Sequence, residues 1–179
     1  MKLPAVTLVT GGCRSGKSTH ALRLADAFGR RAFIATAEAH DDEMAARIAR
    51  HQAERDRRFV TVEAPLDPAA ALRRIPDDTQ VIVLDCVTVW ISNLLHHYED
   101  KAQDAPEIGR LLEALRTPPC PVIVVTNEVG AGIVPMNPLA RRFRDLAGTV
   151  NQQIAAIADT VLMTVCGIPI TIKSDHPPA

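Results

Sequence analysis

Gly11-Gly12-Cys13-Arg14-Ser15-Gly16-Lys17-Ser18 has the residue types and spacing of a loop that wraps phosphate. Glycines let the backbone curl until successive N–H groups point at phosphate oxygens, and a helix starting at the loop's end adds partial positive charge. Lys17 is placed to reach the outer phosphates, and the Ser18 hydroxyl to ligate Mg²⁺. The flanking residues support this reading. Ala5-Val6-Thr7-Leu8-Val9-Thr10 is apolar and β-prone, with the length of one buried strand. Thr19 to Phe28 carries Ala21, Leu22, Leu24, Ala25 and Phe28 at helical spacing. The chain has only four lysines (Lys2, Lys17, Lys101 and Lys173), so composition alone would rarely put one here. Strand, glycine loop and helix together imply a nucleoside triphosphate ligand.

A second group of chemical residues lies between Asp41 and Asp56, where acids come first and cations follow, as a helix dipole favours. At about 100° per residue, Met44, Ile48, His51 and Arg55 share one stripe, so His51 points with the apolar face. Two roles fit an inward histidine: a satisfied core residue or a nucleophile. Arg55, one turn further on, suits the second, because a guanidinium grips phosphate oxygens while a neutral imidazole attacks phosphorus. The neighbouring cation also disfavours imidazolium, which keeps the nitrogen lone pair available.

These residues need a scaffold, and its elements are legible. Strand-like runs recur at Ala32–Thr36, Phe59–Val62, Val81–Asp85 and Val122–Thr126, with helical segments between them. Near-continuous Val/Ile runs mean strands buried on both faces, as in parallel sheets. Asn137-Pro138 opens a further helix with an N-cap and a proline in its first turn, and Leu139, Phe143, Leu146, Val150, Ile154 and Ile157 are expected along one face. Val161–Val165 and Ile168–Ile172 around Gly167 predict a C-terminal hairpin, and the polar stretch from Tyr98 to Pro106 predicts a long loop. Repeated β-α units give a three-layer α/β fold with a mainly parallel sheet. No linker divides it, so residues 1–173 are expected to form one domain and 174–179 a disordered tail.

Ligands of such sheets collect at the carboxyl ends of the strands. That rule selects Thr10, Thr36, Asp85 and Thr126-Asn127-Glu128. Asp85 closes an apolar run as a Mg²⁺-holding acid does, directly or through water, or else it serves as a helix N-cap or turn aspartate. Glu128 fits either a ligand contact or a solvated strand end.

Composition narrows the function classes. The 179 residues are 47% hydrophobic and 23% charged, with a formal net charge of −1, as expected of a soluble globular protein. Aromatics are 3% of the chain and no basic patch gathers, so nucleic-acid binding has no support. Cys13, Cys86, Cys120 and Cys166 are scattered without paired ligand spacing, which fits a reducing cytoplasm and argues against zinc. The chain enters a strand and phosphate loop at once, leaving no room for a signal peptide, and no apolar run has the length of a membrane span.

Several blocks together resemble the bifunctional adenosylcobinamide kinase/adenosylcobinamide-phosphate guanylyltransferase family of cobalamin biosynthesis. They are Thr10 to Ser18, Ile34-Ala35-Thr36, Asp41-Asp42-Glu43-Met44 with Arg47, Ile48, His51 and Arg55, and Asp85-Cys86-Val87-Thr88 with Asn93-Leu94-Leu95. Val125 to Gly130, Gly132 to Pro135 with Asn137, and the run from Leu139 to Gln152 complete the likeness, which covers about Val6 to Lys173. The phosphate loop is shared by many enzymes, whereas the combination is specific. The resemblance implies a P-loop NTPase fold (RecA-like) and two reactions: NTP-dependent phosphorylation of adenosylcobinamide, then transfer of GMP from GTP. Gly11, Gly12, Cys13, Arg14, Ser15, Gly16, Lys17 and Ser18 would bind nucleotide phosphates, and Ser18 and Asp85 would hold Mg²⁺. His51 would be the guanylyl-accepting nucleophile, with Thr36, Glu38, Arg55 and Glu63 around that nucleotide. Cys13 stands where alanine is common in the family, which should not impair binding by backbone N–H groups but exposes the loop to oxidation. ATP or GTP and a corrinoid are the implied substrates, and a homo-oligomer the implied assembly. A simple P-loop small-molecule kinase, with His51 in the core, is the alternative.

Overall fold

The computed structural model describes residues 3–39, 42, 45, 46, 49 and 59–174. In chain order these form β1 (Val6–Gly11), α1 (Lys17–Ala25), β2 (Arg31–Ala35), β3 (Phe59–Glu63), α2 (Pro68–Leu72), β4 (Val81–Asp85) and α3 (Val87–Tyr98). A 3-10 helix (Glu99–Asp104), α4 (Pro106–Arg116), β5 (Val122–Val125), α5 (Pro138–Ile157), β6 (Thr160–Val165) and β7 (Ile168–Ser174) follow. Asp42, Ala45, Ala46 and Ala49 are helical and exposed, a spacing that marks one solvated face. The expected stripe of Met44, Ile48, His51 and Arg55 lies outside the described residues.

The strands make one seven-stranded sheet in the order β3-β2-β4-β5-β1-β6-β7. β1 to β6 run parallel, and β7 returns antiparallel beside β6 as the hairpin. Val/Ile runs in β4 and β5 are buried throughout because helices cover both faces. On one face Val9, Phe33, Val81, Val83, Ile123 and Val125 pack against Ala21 and Ala25 of α1. On the other, Leu8, Ile34, Ile82, Leu84, Val122 and Val124 meet α2, α3, α4 and α5. Trp90 of α3 is fully buried there, its indole N–H donating to the Leu66 carbonyl at 2.8 Å.

Two local expectations change. The stretch from Tyr98 to Pro106 is not a loop: it forms the 3-10 helix and the start of α4. Its polar composition hides Ala102 and Ala105, which are buried against the core, and Pro106 sits in the first turn of α4 without needing its missing N–H. The Asn137 cap forms as expected, accepting from Leu139 N at 2.8 Å and Ala140 N at 3.4 Å. Leu139, however, is 52% exposed, since α5 becomes fully buried only at Ala147, Val150 and Ile154.

Candidate active site

The phosphate loop is folded around its glycines. Gly11 has φ 147°, and a Cβ there would stand 2.5 Å from the Thr164 carbonyl oxygen, so only glycine fits. Gly16, at φ 94°, is the N-cap of α1, and a Cβ on it would meet Gly167 Cα at 3.1 Å. No side chain caps α1, so the N–H groups of its first turn are left to the loop. Lys17 is 7% exposed, and its ammonium curls inside, donating to the Gly12 carbonyl at 2.5 Å and to Ser15 Oγ at 3.4 Å. Cys13 and Arg14 are exposed on the outer side.

The C-terminal hairpin braces this loop. Thr164, buried in β6, donates its hydroxyl to the Thr10 carbonyl at 3.2 Å, so its 2.8 Å contact with Ser15 has the serine hydroxyl as donor. Gly167 N, in the turn, donates to the Ser15 carbonyl at 2.9 Å. The sequence marks Gly167 only as a hairpin turn and gives Thr164 no separate signal.

Asp85 ends β4 two residues after Val83, on the face that α1 covers. α1 packs over β4 and β5, so Ser18, in its first turn, lies over the same rim as Asp85. A hydroxyl and a carboxylate are the hard oxygen donors that Mg²⁺ takes, so the residues suit that ion. The N-cap of α3 is Cys86, whose Sγ accepts from Val89 N at 3.4 Å; Asp85 does not have that role. The Asp85–Cys86 peptide is cis. Thr36 is fully buried behind it, donating to the Cys86 carbonyl at 2.8 Å and accepting from Cys86 N at 2.9 Å. Asn93 in turn donates to the carbonyls of Thr36 at 2.8 Å and Pro65 at 3.0 Å.

Glu38 is exposed just beyond β2, and Glu63 is exposed at the end of β3, in register with Ala35. Both lie on the carboxyl rim, but β2 stands three strands from β1, about 14 Å at the usual ~4.8 Å strand spacing. The rim thus gathers Lys17, Ser18 and Asp85 at its middle and Thr36, Glu38 and Glu63 further along. His51 and Arg55 lie outside the described residues. Near the loop, burial lowers the pKa of His20, with Arg23 adding to the effect, and its Nε2 is buried with no hydrogen-bond partner. Glu128 is exposed and accepts from Gly130 N at 2.7 Å, which shapes the turn after β5.

The fold is shared with a recombinase and a secretion-system ATPase. The structure of the RadB recombinase superposes with a TM-score of 0.53 at 19% identity, covering 89% of this chain and 74% of that one. An ATPase of the type III secretion system of pathogenic bacteria gives 0.57 at 9% identity, covering 93% of this chain and 56% of that one. These likenesses establish a RecA-like P-loop fold. Sequence similarity is closer elsewhere. The bifunctional adenosylcobalamin biosynthesis protein CobU of Escherichia coli (strain K12) is 44% identical over 178 residues, covering 93% of this chain and 98% of the relative. CobP of Pseudomonas aeruginosa, which carries the same description, is 43% identical over 169 residues, covering 94% and 97%. The family model described as cobinamide kinase / cobinamide phosphate guanyltransferase matches residues 7–172. With the phosphate loop folded and Asp85 on its rim, this chain belongs to the cobinamide kinase / cobinamide phosphate guanyltransferase family.

Proposed function

We propose that this chain phosphorylates the aminopropanol hydroxyl of adenosylcobinamide and then guanylylates the product, in one domain spanning residues 1–173. The observation that carries the reading is the glycine loop closed around buried Lys17 on the rim that holds Asp85, in a chain of this family. In the first reaction the hydroxyl oxygen bonds to the terminal phosphorus of ATP or GTP while the bond from that phosphorus to the bridging oxygen breaks. The electron pair leaves with the nucleoside diphosphate, and the hydroxyl proton passes to water. Residues Gly11 to Ser18 orient the phosphates, and Lys17 neutralises charge on the transferring group. Ser18 and Asp85 would hold Mg²⁺, which supplies further charge stabilisation when bound.

In the second reaction a His51 ring nitrogen attacks the α-phosphorus of GTP, and pyrophosphate leaves. An oxygen of the cobinamide phosphate then displaces the imidazole, forming adenosylcobinamide-GDP and restoring His51. Splitting a displacement between two anions into two steps is the use of a covalent intermediate. Glu38, Glu63 and Arg55 belong to this nucleotide's surroundings, while Thr36, with its hydroxyl taken by Cys86 and its carbonyl by Asn93, acts by holding the Asp85–Cys86 end of β4.

We place the enzyme in the cytoplasm; no helix among the described residues is long and apolar enough to cross a membrane. Ile168, Ile170 and Ile172 on edge strand β7 are exposed, apolar surface of the kind a homo-oligomer covers. The decisive experiment incubates the protein with Mg²⁺ and GTP labelled at the α-phosphate, then denatures it. Acid-labile, alkali-stable label on the chain that is absent in His51→Ala establishes the guanylyl-histidine. Bound nucleotide without label leaves a simple kinase.

A further inference from the structure

We propose that Asn127 is a catalytic residue of the kinase reaction, its carboxamide N–H donating to a non-bridging oxygen of the phosphoryl group in transfer. This rests on the kinase reading above and adds a residue to it.

Strand alternation sets the direction of the side chain. Ile123 and Val125 face α1, whereas Val122 and Val124 face the opposite layer. Thr126 continues the second series, its hydroxyl bonded to Thr88 of α3 and Asn151 of α5. Asn127 therefore falls on the α1 face, as Asp85 does two residues after Val83. The registry with β1 also persists past the end of β5. Thr126 N donates to Val9 O and Glu128 N to Gly11 O, each at 3.0 Å, which holds Asn127 level with the entry to the phosphate loop. On its other side, Val125 is the register partner of Asp85. Asn127 thus stands at the rim between loop and acid.

Its backbone is held by side chains on both polar groups. Asn127 N donates to Thr88 Oγ1 at 2.7 Å, and Asn151 Nδ2 donates to the Asn127 carbonyl at 3.1 Å. Thr126 donates to Asn151 Oδ1 at 2.7 Å, so in the 3.2 Å contact between the two threonine hydroxyls Thr88 is the donor. Each link then has one donor and one acceptor. Thr88 and Thr126 are buried, and burying hydroxyls is costly unless they are hydrogen-bonded, so two threonines and an asparagine are committed to fixing the backbone of one residue. Among the described residues, the Asn127 carboxamide itself has no hydrogen-bond partner, and the residue is half-buried. A donor held rigidly by its backbone, left unpaired and aimed at the rim between loop and acid, suits an oxyanion that gains charge during transfer.

The test measures two reactions on the same preparations: phosphorylation of cobinamide, and His51 labelling by saturating α-labelled GTP. Asn127→Ala and the near-isosteric Asn127→Asp should each lower the kinase kcat about 10²-fold, as loss of one transition-state donor does, with the KM for ATP within threefold of wild type. Labelling should stay near wild type, because that chemistry occurs at the α-phosphorus. A kinase kcat within threefold of wild type in both variants overturns the proposal. Parallel loss of labelling and kinase activity in folded Asn127→Asp overturns it too, since that pattern marks a structural role. If wild type labels but phosphorylates no cobinamide, the kinase reading itself falls, and the role of Asn127 with it.

Discussion

The Gly167 backbone N–H donates to the Ser15 carbonyl oxygen at 2.9 Å, tying the last hairpin of the chain to the first loop. Beside it, Thr164 receives the Ser15 hydroxyl at 2.8 Å and passes its own to Thr10. The phosphate loop is therefore braced by residues roughly 150 positions away, |i−j| = 149 for the Ser15–Thr164 contact. Thr164→Val keeps the shape but removes the hydroxyl. It should weaken nucleotide binding about tenfold and cost about 1–3 kcal/mol of stability, because Ser15 and Thr10 lose a buried partner. Calorimetric titration with nucleotide and a urea melt check both; unchanged affinity would show that the hairpin does not support the loop.

Lys17 and His51 should separate the two reactions. On the proposed mechanism Lys17→Ala removes a charge used in both nucleotide reactions and should lower each by 10² or more, an order of magnitude typical of a lost transition-state contact. His51→Ala should abolish guanylyl transfer while sparing much of the kinase rate. Assays of phosphorylated and guanylylated cobinamide read the two outcomes. Full kinase activity in Lys17→Ala would remove Lys17 from the mechanism.

Trp90 anchors α3 behind the rim. Trp90→Phe leaves the Leu66 carbonyl without its 2.8 Å donor and vacates part of a fully buried site, for an expected loss of about 1–3 kcal/mol. Trp90→Ala should lose about 3–5 kcal/mol. Chemical denaturation is the measurement, and an unchanged midpoint for both variants would contradict this packing.

His20 gives the fold a pH dependence of definite sign. Burial, aided by Arg23, lowers its pKa in the folded state below the ordinary 6.5. In the interval between the folded and ordinary values the unfolded chain binds more protons, so stability rises with pH. The contribution is fully present above about pH 6.5 and is lost as the pH falls towards the folded value. His20→Leu should flatten the urea midpoint below pH 6.5 relative to wild type, and the unpartnered Nε2 makes that replacement structurally mild. An identical pH profile in the variant would show that His20 does not titrate differently on folding.

Much of the fold could be read directly. Val81–Asp85 is a strand with the expected bounds, the Asn137 cap forms, and the hairpin turns at Gly167. These signals are local: a strand's burial on both faces appears in its own Val/Ile run, and a cap in two adjacent residues. The 3-10 helix was missed because only Ala102 and Ala105 in a charged stretch pack inward, and two alanines carry little periodic signal.

The sequence by itself determined the family and the phosphate loop: a glycine loop with one lysine is a local pattern whose residue types state their use, whereas an acid closing an apolar run and a histidine stripe each left a second role open. Tertiary structure decided which distant groups those patterns need. Strand order set β5 between β4 and β1, placing Asn127 between Asp85 and Gly11, and β6 beside β1 brought Thr164 and Gly167 to the loop. The same pairing assigned Thr36 and Cys86 to each other rather than to solvent. Parallel pairing joins residues far apart in the chain through backbone hydrogen bonds that any residue type can make, so side-chain identity alone leaves the partners unnamed.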